Sequence, residues 1–477
     1  MKRLSTLALA ASLAAGCAPS PTPETAAVQT PAQVATETGT APLAKRAGLA
    51  HPDWSRDAVI YEINVRQYSE AGTFEAVRAD LPRIRDLGVD ILWLMPIHPI
   101  GEARRKGPMG SPYAVRDYFG VNPEFGTEDD FRRLVEDAQA MGFKVILDWV
   151  ANHSAWDNPM IFENPHWYTN GEDGEIIHPE GTDWEDVADF NYDDPDMRQY
   201  MSDALVYWVE EFGIDGYRCD VAGMVPTDFW NDVRPRLEAV KPVFMLAEWQ
   251  EPELHEQAFN ASYAWRWKEI LQDVMKGEAV ASDLGKFYDE YQSADWPTGA
   301  MRMTYTSNHD QNTWDGLPQE IYGDAYEAAM VVQFAGDGIP MIYSGQECLN
   351  PNRLEFFEKD EIVWNCDTPD GARINRLFKD LVQLKTDNAV LHNGDWGAPA
   401  TILQTDKPEQ VFSFVRQNAA GNAVLVTANF SNTPQTFSFT DGAPQGDYSD
   451  FRTGEAMTFD EEPQTLPAWG WTVHVRD

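Results

Sequence analysis

Asp196-Met-Arg-Gln-Tyr-Met-Ser-Asp-Ala-Leu-Val-Tyr-Trp-Val-Glu-Glu-Phe212, followed after three intervening residues by Gly216-Tyr-Arg-Cys-Asp-Val221, decides the fold class. In the first stretch Met197, Met201, Leu205, Trp208 and Phe212 recur at helical spacing; the second is a short strand-like run. The same alternation extends in both directions. Strand-like runs lie at Ala58–Val65, Ile91–Ile97, Lys144–Val150, Val243–Trp249, Met303–Ser307 and Met341–Ser344, with a weaker one at Ala261–Trp265. Helix-period segments, including Phe74–Leu87, Thr127–Met141 and Thr227–Val240, fall between them. Strands alternating with helices predict a parallel sheet. A count of eight favours an α/β fold of the (β/α)₈ TIM-barrel type over an open doubly wound sheet, whose phosphate-binding signature follows none of the strands.

Two regions break the pattern. Residues 152–189 follow the third strand without helical periodicity and carry Trp156, Trp167, Tyr168 and Trp184, which predicts a short insertion acting as a subdomain or lid. From residue 388 to 477, runs at Val411–Val415, Ala423–Phe430, Gln435–Phe439 and Trp469–Val475 alternate with turns, predicting a C-terminal all-β sandwich domain. The barrel is thus expected over 50–387.

The first residues read as targeting rather than fold. Lys2 and Arg3 precede an apolar run from Leu4 to Ala15, too short to span a bilayer and built like a signal peptide. It ends Leu13-Ala-Ala-Gly-Cys17, which resembles a bacterial lipoprotein processing box and implies cleavage before Cys17 and lipid attachment to it. Residues 18–49 are rich in Pro, Thr, Ala and Gln and read as a disordered tether. The expected location is the cell envelope, exported and lipid-anchored, with free secretion as the alternative.

With 36 Lys+Arg against 77 Asp+Glu, the net charge is −41. A surface of that sign repels phosphate backbones, so nucleic acid is not an expected partner. The charge reads as a solubility device. Cys219, Cys348 and Cys366 have no metal-like spacing; Cys219 and Cys348 lie in apolar runs and are expected to be core thiols rather than a disulfide framework.

In a barrel of this kind chemistry sits at the C-terminal strand ends. Here those ends are acidic: Asp148 on the third strand, Asp220 on the fourth, Glu248 on the fifth and Asp310 on the seventh. Like charges held together cost energy, so a catalytic carboxylate cluster is the better reading than four incidental caps. Arg218 shares a strand face with Asp220 and is expected to keep it ionised, whereas the apolar neighbours of Glu248 should favour its protonated form.

The segments Asp148-Trp-Val-Ala-Asn152-His153, Gly216-Tyr-Arg218-Cys-Asp220, Ala247-Glu248-Trp249 and Asn308-His309-Asp310 resemble, in order, the four motifs of the α-amylase superfamily. Ser111-Pro-Tyr113, Ala188-Asp189-Phe-Asn191 and Gly338–Glu347 extend the likeness, which covers Trp54 to the C-terminus. The resemblance implies a retaining glycoside hydrolase acting on an α-glucan. It assigns Asp220 as nucleophile, Glu248 as general acid/base and Asp310 as the group holding the distorted sugar. It also implies that His153 and His309 donate to sugar hydroxyls and that Tyr113 stacks under the cleaved ring. Asp148 is structural support in that family, and Glu347 reads as a rim hydrogen-bonder. In many relatives the positions of Asn152 and Asp189 bind Ca²⁺; no organic cofactor is implied.

Three functions fit. The first is an α-amylase-type hydrolase of α-1,4-glucans. The second is a cyclodextrin- or pullulan-cleaving enzyme, an α-1,6-glucosidase or a transglycosylase, because Val221-Ala-Gly-Met224 departs from the commonest amylase pattern. The third is a non-catalytic glucan-binding lipoprotein. The sequence does not indicate an oligomeric state.

Overall fold

The computed structural model describes residues 45–442, 444–459 and 462–477; the expected signal peptide (1–17) and residues 18–44 of the expected tether lie outside the described residues. Among the described residues ten strands precede residue 344: β1 (Ile60–Ile63), β2 (Ile91–Leu94), β3 (Lys144–Trp149), β4 (His153–Ala155), β5 (Val187–Asp189), β6 (Gly216–Cys219), β7 (Phe244–Ala247), β8 (Ala261–Tyr263), β9 (Met301–Thr304) and β10 (Ile339–Tyr343). All but β4 and β5 close into a parallel barrel in the order β1-β10-β9-β8-β7-β6-β3-β2. The eighth strand expected near Ala261 is therefore present, as the three-residue β8.

The helix read over Asp196–Phe212 forms as Pro195–Phe212. The Asp194 side chain accepts from the Asp196 and Met197 amides, and Pro195 supplies a first-turn φ that suits a helix start. Gly213 ends the helix at φ 66°, a left-handed conformation that side chains resist. Its Met197, Met201, Leu205, Trp208 and Phe212 are all buried against the outer barrel wall.

Inside the barrel the period-two alternation sorts residues by height. Ile60, Ile91, Ile146, Phe244, Met301 and Met341 fill the interior as an apolar plug. Two residues beyond Ile60 and Ile146, Glu62 and Asp148 carry charge, as does Arg218 at the same height on β6, and all three are buried. In register, Asp148 on β3 stands opposite Arg218 on β6. Polar chemistry is thereby confined to the C-terminal mouth, above a dry core.

The insertion is organised by β4 and β5, an antiparallel pair that sets His153 opposite Asp189. Beyond the barrel, β11 (Ala400–Ile402), β12 (Val411–Gln417), β13 (Ala423–Asn429), β14 (Gln435–Phe437), β15 (Asp447–Asp450), β16 (Ala456–Thr458), β17 (Gln464–Leu466) and β18 (Trp471–Arg476) form the C-terminal domain. It is a six-stranded antiparallel sheet, β11-β12-β13-β18-β15-β16, with the β14–β17 ribbon as its smaller second layer; Phe437 and Leu466 of the ribbon cluster with Val411. Arg416, fully buried on β12, donates to the carbonyls of Gly336, His392 and Ala398 and so ties this domain to the barrel.

Three expectations are corrected. Residues 45–49, read as tether, lie against the barrel's N-terminal end: the Thr298 amide donates to Arg46 O at 2.9 Å and Lys45 Nζ to Tyr291 O at 3.3 Å. Glu347, read as a rim residue, is fully buried and accepts from Tyr61 and Arg83. Cys348, read as a core thiol, is bonded to Cys366 across 18 residues; Cys219 is the free, buried cysteine among the described residues. The fold-back of residues 349–365 that brings the two together has no periodic signature. Cross-linking a loop of this length stabilises a domain by about 3 kcal/mol in the chain-entropy picture. Reduction, with both thiols verified by alkylation and mass, is therefore expected to lower Tm by a few degrees; an unchanged Tm would contradict a structural role.

Candidate active site

Arg218 organises the site from below. Its side chain is wholly buried, and Nη1 donates to Asp148 Oδ1 at 2.7 Å and to Asp220 Oδ1 at 2.9 Å. Nη2 stands 2.9 Å from Glu248 Oε2 at an angle outside hydrogen-bond geometry, and Nε donates to the Tyr263 hydroxyl at 3.2 Å. One guanidinium thus faces three buried carboxylates. Trp93 Nε1 and the Tyr113 hydroxyl donate to the other oxygen of Asp148, at 3.1 and 3.0 Å, which fixes Asp148 as the support beneath Arg218.

Asp220 and Glu248 each follow their strand by one residue. Their amides continue the ladder, to Trp149 O and Cys219 O, so both carboxyls leave the mouth from rigid backbone. Val221, next to Asp220, adopts φ 36° and ψ 47°, a left-handed conformation that costs a β-branched residue about 1–3 kcal/mol. That turn aims the Val221 amide at Glu248 Oε2, 2.8 Å away. Gly223 then lies flat against Trp249: a Cβ there would fall 2.1 Å from the indole.

Asp310 does not end its strand as the sequence suggested. β9 stops at Thr304, and Asp310 sits at the start of a short helical turn, Gln311–Asp315, with its side chain 43% exposed. His309 beside it is buried. Its Nε2 lies 2.9 Å from the Tyr113 hydroxyl and 3.4 Å from Asp310 Oδ2, while Nδ1 hydrogen-bonds Glu62 Oε1. Burial opposes a charge on this ring, yet Asp310 and Glu62 outweigh it and hold its pKa up at about 9. His153 is the opposite case: burial pushes it down to about 3, so it is a neutral imidazole. The Asn152 amide nitrogen lies 3.2 Å from His153 Nδ1.

Burial pushes the Asp220 carboxyl well above the usual range, Glu248 raises it further, and Arg218 opposes them. Burial also raises Glu248; Arg218 lowers it and Asp310 raises it. Arg218 acts on Asp220 in the expected direction, but its one charge also faces Asp148 and Glu248 and is divided among three carboxylates. Two acids so close ionise in separate macroscopic steps, which gives a pH range in which the pair carries one proton.

A cleft of about 430 Å³ opens above this layer, lined by Tyr113, His153, Asp220, Glu248, His309 and Asp310 among others. The size suits a small-molecule site. The cleft gathers Asp220, Glu248, Asp310, Tyr113, His153 and His309; Arg218, expected among the substrate contacts, is instead wholly buried beneath them and does not line the cleft. Sequence reasoning did not single out Glu62, nor the cleft walls formed by Phe356, Phe357 and Lys106. A period-two reading of β1 holds a signal for Glu62, a lone carboxylate in an apolar strand; the others sit in aperiodic loops. Phe356 stacks on Tyr113, and exposed Trp314 lies 5.7 Å from Phe356. Lys106 is the one Lys or Arg among the described cleft-lining residues and is paired with Asp186 at 3.2 Å.

The family model described as "Alpha amylase, catalytic domain" matches residues 53–173 and 158–398. The chain belongs to the α-amylase family. It is 30% identical over 440 residues to the α-amylase MalA of Haloarcula japonica, covering 88% of this chain and 62% of that protein. It is 31% identical over 411 residues to the α-1,4-glucan:maltose-1-phosphate maltosyltransferase of Rhodospirillum rubrum, covering 78% of this chain and 57% of that one. Among solved structures, an α-amylase from Lactobacillus plantarum superposes with a TM-score of 0.78 at 31% identity, covering 89% of this chain and all of that one. The chain thus spans about three fifths of the length of these two curated relatives. This α-amylase family member places its acidic layer at the mouth of its barrel, as the fold requires of a catalytic site.

Proposed function

We propose that the chain is a retaining glycoside hydrolase that cleaves α-1,4-glucosidic bonds of starch, glycogen or malto-oligosaccharides. The observation that carries this reading is Arg218 lying between Asp220 and Glu248 beneath the cleft. A retaining pair works at a separation of about 5–5.5 Å, with one carboxyl ionised and the other protonated. Sharing one guanidinium keeps the two close, and their mutual repulsion favours the singly protonated pair.

In the first step Asp220 attacks the anomeric carbon while the glycosidic C–O bond breaks and the leaving oxygen takes the proton of Glu248. A glycosyl ester on Asp220 results. Glu248, now a carboxylate, takes a proton from water as that water attacks the same carbon and releases Asp220. Asp310 accepts from sugar hydroxyls, and His309, whose two N–H groups are taken up by Glu62 and the Tyr113 hydroxyl, supplies positive charge beside it rather than a free donor. Desolvation in the cleft strengthens these contacts.

Transfer to a sugar in place of water is the second reading, favoured by the likeness to the Rhodospirillum maltosyltransferase. A phosphorylated donor is poorly served by a cleft whose one lysine is already paired with Asp186. Product analysis on starch, pullulan, cyclodextrin and isomaltose separates the possibilities. Starch cut to malto-oligosaccharides is expected. Elongation of maltose would favour transfer, cleavage of isomaltose or pullulan α-1,6 bonds the debranching alternatives, and no cleavage of any the non-catalytic one.

Ca²⁺ is proposed as a structural ion held by Asn152 and Asp189. Asp189 is half-buried, and burial raises its pKa; no Lys or Arg lies within ion-pair distance among the described residues, as would suit a carboxylate that meets a cation. The Asn152 amide nitrogen is turned to His153, which leaves its oxygen for a hard ion. No group of three or more His, Cys, Asp or Glu side chains suited to a metal occurs among the described residues, so carbonyls and water would complete the shell. A chelator is expected to lower Tm and added Ca²⁺ to restore it; identical melting curves would remove the ion.

Export and anchoring through Cys17 complete the proposal. A Cys348–Cys366 disulfide suits an oxidising compartment. Residues 45–51 run along the barrel end opposite the cleft, with His51 Nε2 at 2.8 Å from Gly299 O. A mature chain beginning at Cys17 with the mass of a lipid adduct is expected; an unmodified secreted chain would refute the anchor.

A further inference from the structure

Glu62 is a buried carboxylate to which the proposed reaction gives no task. It lies on β1, paired in register with Trp93 of β2 and Tyr343 of β10, and its side chain is fully buried. One oxygen, Oε1, meets His309 Nδ1; the other, Oε2, has no hydrogen-bond partner. Among the described residues His309 is its one ion-pair partner. A carboxylate left without a cation in such a place costs several kcal/mol, and the imidazolium is what offsets that cost. The ring's other nitrogen points at the two groups that define the sugar-facing wall, the Tyr113 hydroxyl and Asp310.

We propose that Glu62 is a positioning residue for the reaction: from inside the barrel it fixes the orientation of the His309 ring and keeps that ring a cationic donor beside Asp310. Glu62 touches no substrate atom and acts through His309. The kinetic part rests on the retaining-hydrolase reading, whereas the protonation of His309 can be observed without substrate.

Every charged group around His309 has a definable effect. Glu62 from β1, Asp310 from its own turn, Asp148 from β3 and Glu248 after β7 favour the imidazolium, and Arg218 from β6 opposes it. The Tyr113 hydroxyl accepts from Nε2 and donates to Asp148 Oδ2. Trp93 and Phe356 supply ring contacts without charge. Tyr263, Tyr305 and Tyr343 surround Glu62 from β8, the end of β9 and β10, and burial keeps each of them neutral. Glu62 is therefore the one carboxylate bonded to Nδ1, and removing its charge leaves desolvation to act on the ring with less to oppose it.

The test is an NMR titration of the His309 ring in the wild type and in Glu62→Gln and Glu62→Asp, with the pH profile of kcat/KM on a malto-oligosaccharide as the second arm. Glu62→Gln keeps the shape and an acceptor for Nδ1–H but not the charge. Its His309 pKa is expected to fall from about 9 by roughly two units or more, as for loss of an adjacent opposite charge. Loss of a charge-assisted contact predicts a drop in kcat/KM of about 10- to 100-fold, steepest on the alkaline side. Glu62→Asp retains the charge, so its His309 should still titrate above an ordinary imidazole; this variant carries the test if the Gln protein does not fold. An unshifted His309 pKa in Glu62→Gln, with or without a pH-independent loss of rate, overturns the proposal. A wild type inactive on every α-glucan would sink the hydrolase reading alone, since the titration would still report on Glu62.

Discussion

Asp220→Asn is expected to lower kcat on malto-oligosaccharides by about 10⁴-fold or more, the scale of losing a covalent nucleophile. Substrate affinity should change little, because Tyr113, His153, His309 and Asp310 still line the cleft. The fold should survive as well. Asn keeps an oxygen for Arg218 Nη1 at the position now 2.9 Å away, and the substitution removes a buried negative charge that burial and Glu248 both disfavour. Relief of that repulsion predicts a Tm equal to or slightly above the wild type. Activity and thermal stability measured on one preparation check both halves. Near wild-type kcat would remove Asp220 from the chemistry, and a collapse in Tm would show that its charge is structural.

Arg218→Lys is expected to be nearly as damaging to rate and far more damaging to stability. A guanidinium presents several donors in a plane and here serves Asp148, Asp220, Glu248 and Tyr263 together. An ammonium on a flexible stem cannot reach all four at once. Leaving a buried carboxylate without its partner costs about 3–5 kcal/mol, which puts the variant several degrees lower in Tm. The pH profile gives the sharper readout. Arg218 lowers the pKa of both Asp220 and Glu248, so weakening it lets both rise. The acid limb of kcat/KM reports ionisation of the nucleophile and should move to higher pH. An acid limb at its wild-type position, or at lower pH, would mean that Arg218 does not set the charge of this site.

Most of the barrel was legible because each helix buries a stripe at i, i+4 and i+7 and each strand is a short apolar run. β8 was the weakest reading, since three residues, Ala261–Tyr263, barely make a period. The carboxylates proposed to react were legible for a related reason: Asp220 and Glu248 interrupt or close apolar runs where nothing but function or pairing justifies a charge. The same logic applied to Ile60-Tyr-Glu62-Ile would have marked Glu62. Asp310 was found by motif but misplaced, because five residues of irregular backbone separate it from the end of β9. The Cys348–Cys366 bond, the buried position of Glu347 and the Phe356–Phe357 wall were not legible. The bond and the wall depend on how the loop from 349 to 367 returns to the barrel, where Gln67 Nε2 donates to the carbonyls of Glu355 and Glu358, and Glu347 is held by the distant Tyr61 and Arg83. Contacts made at long sequence separation by an aperiodic segment leave no pattern to read. What the sequence did not show is how Arg218 is shared: two residues from Asp220 it looked like a private partner, and the fold sets it against three acids.

The proposed reaction passes through a covalent intermediate on Asp220. Incubation with a fluorinated maltosyl fluoride, which lets the glycosyl-enzyme form but slows its release, followed by peptide mass spectrometry, tests it most directly. One glycosyl adduct is expected, on the peptide containing Asp220, formed faster in the wild type than in Arg218→Lys and absent from Asp220→Asn. An adduct on Glu248 or Asp310, or turnover of the reagent with inversion and no adduct, would contradict it.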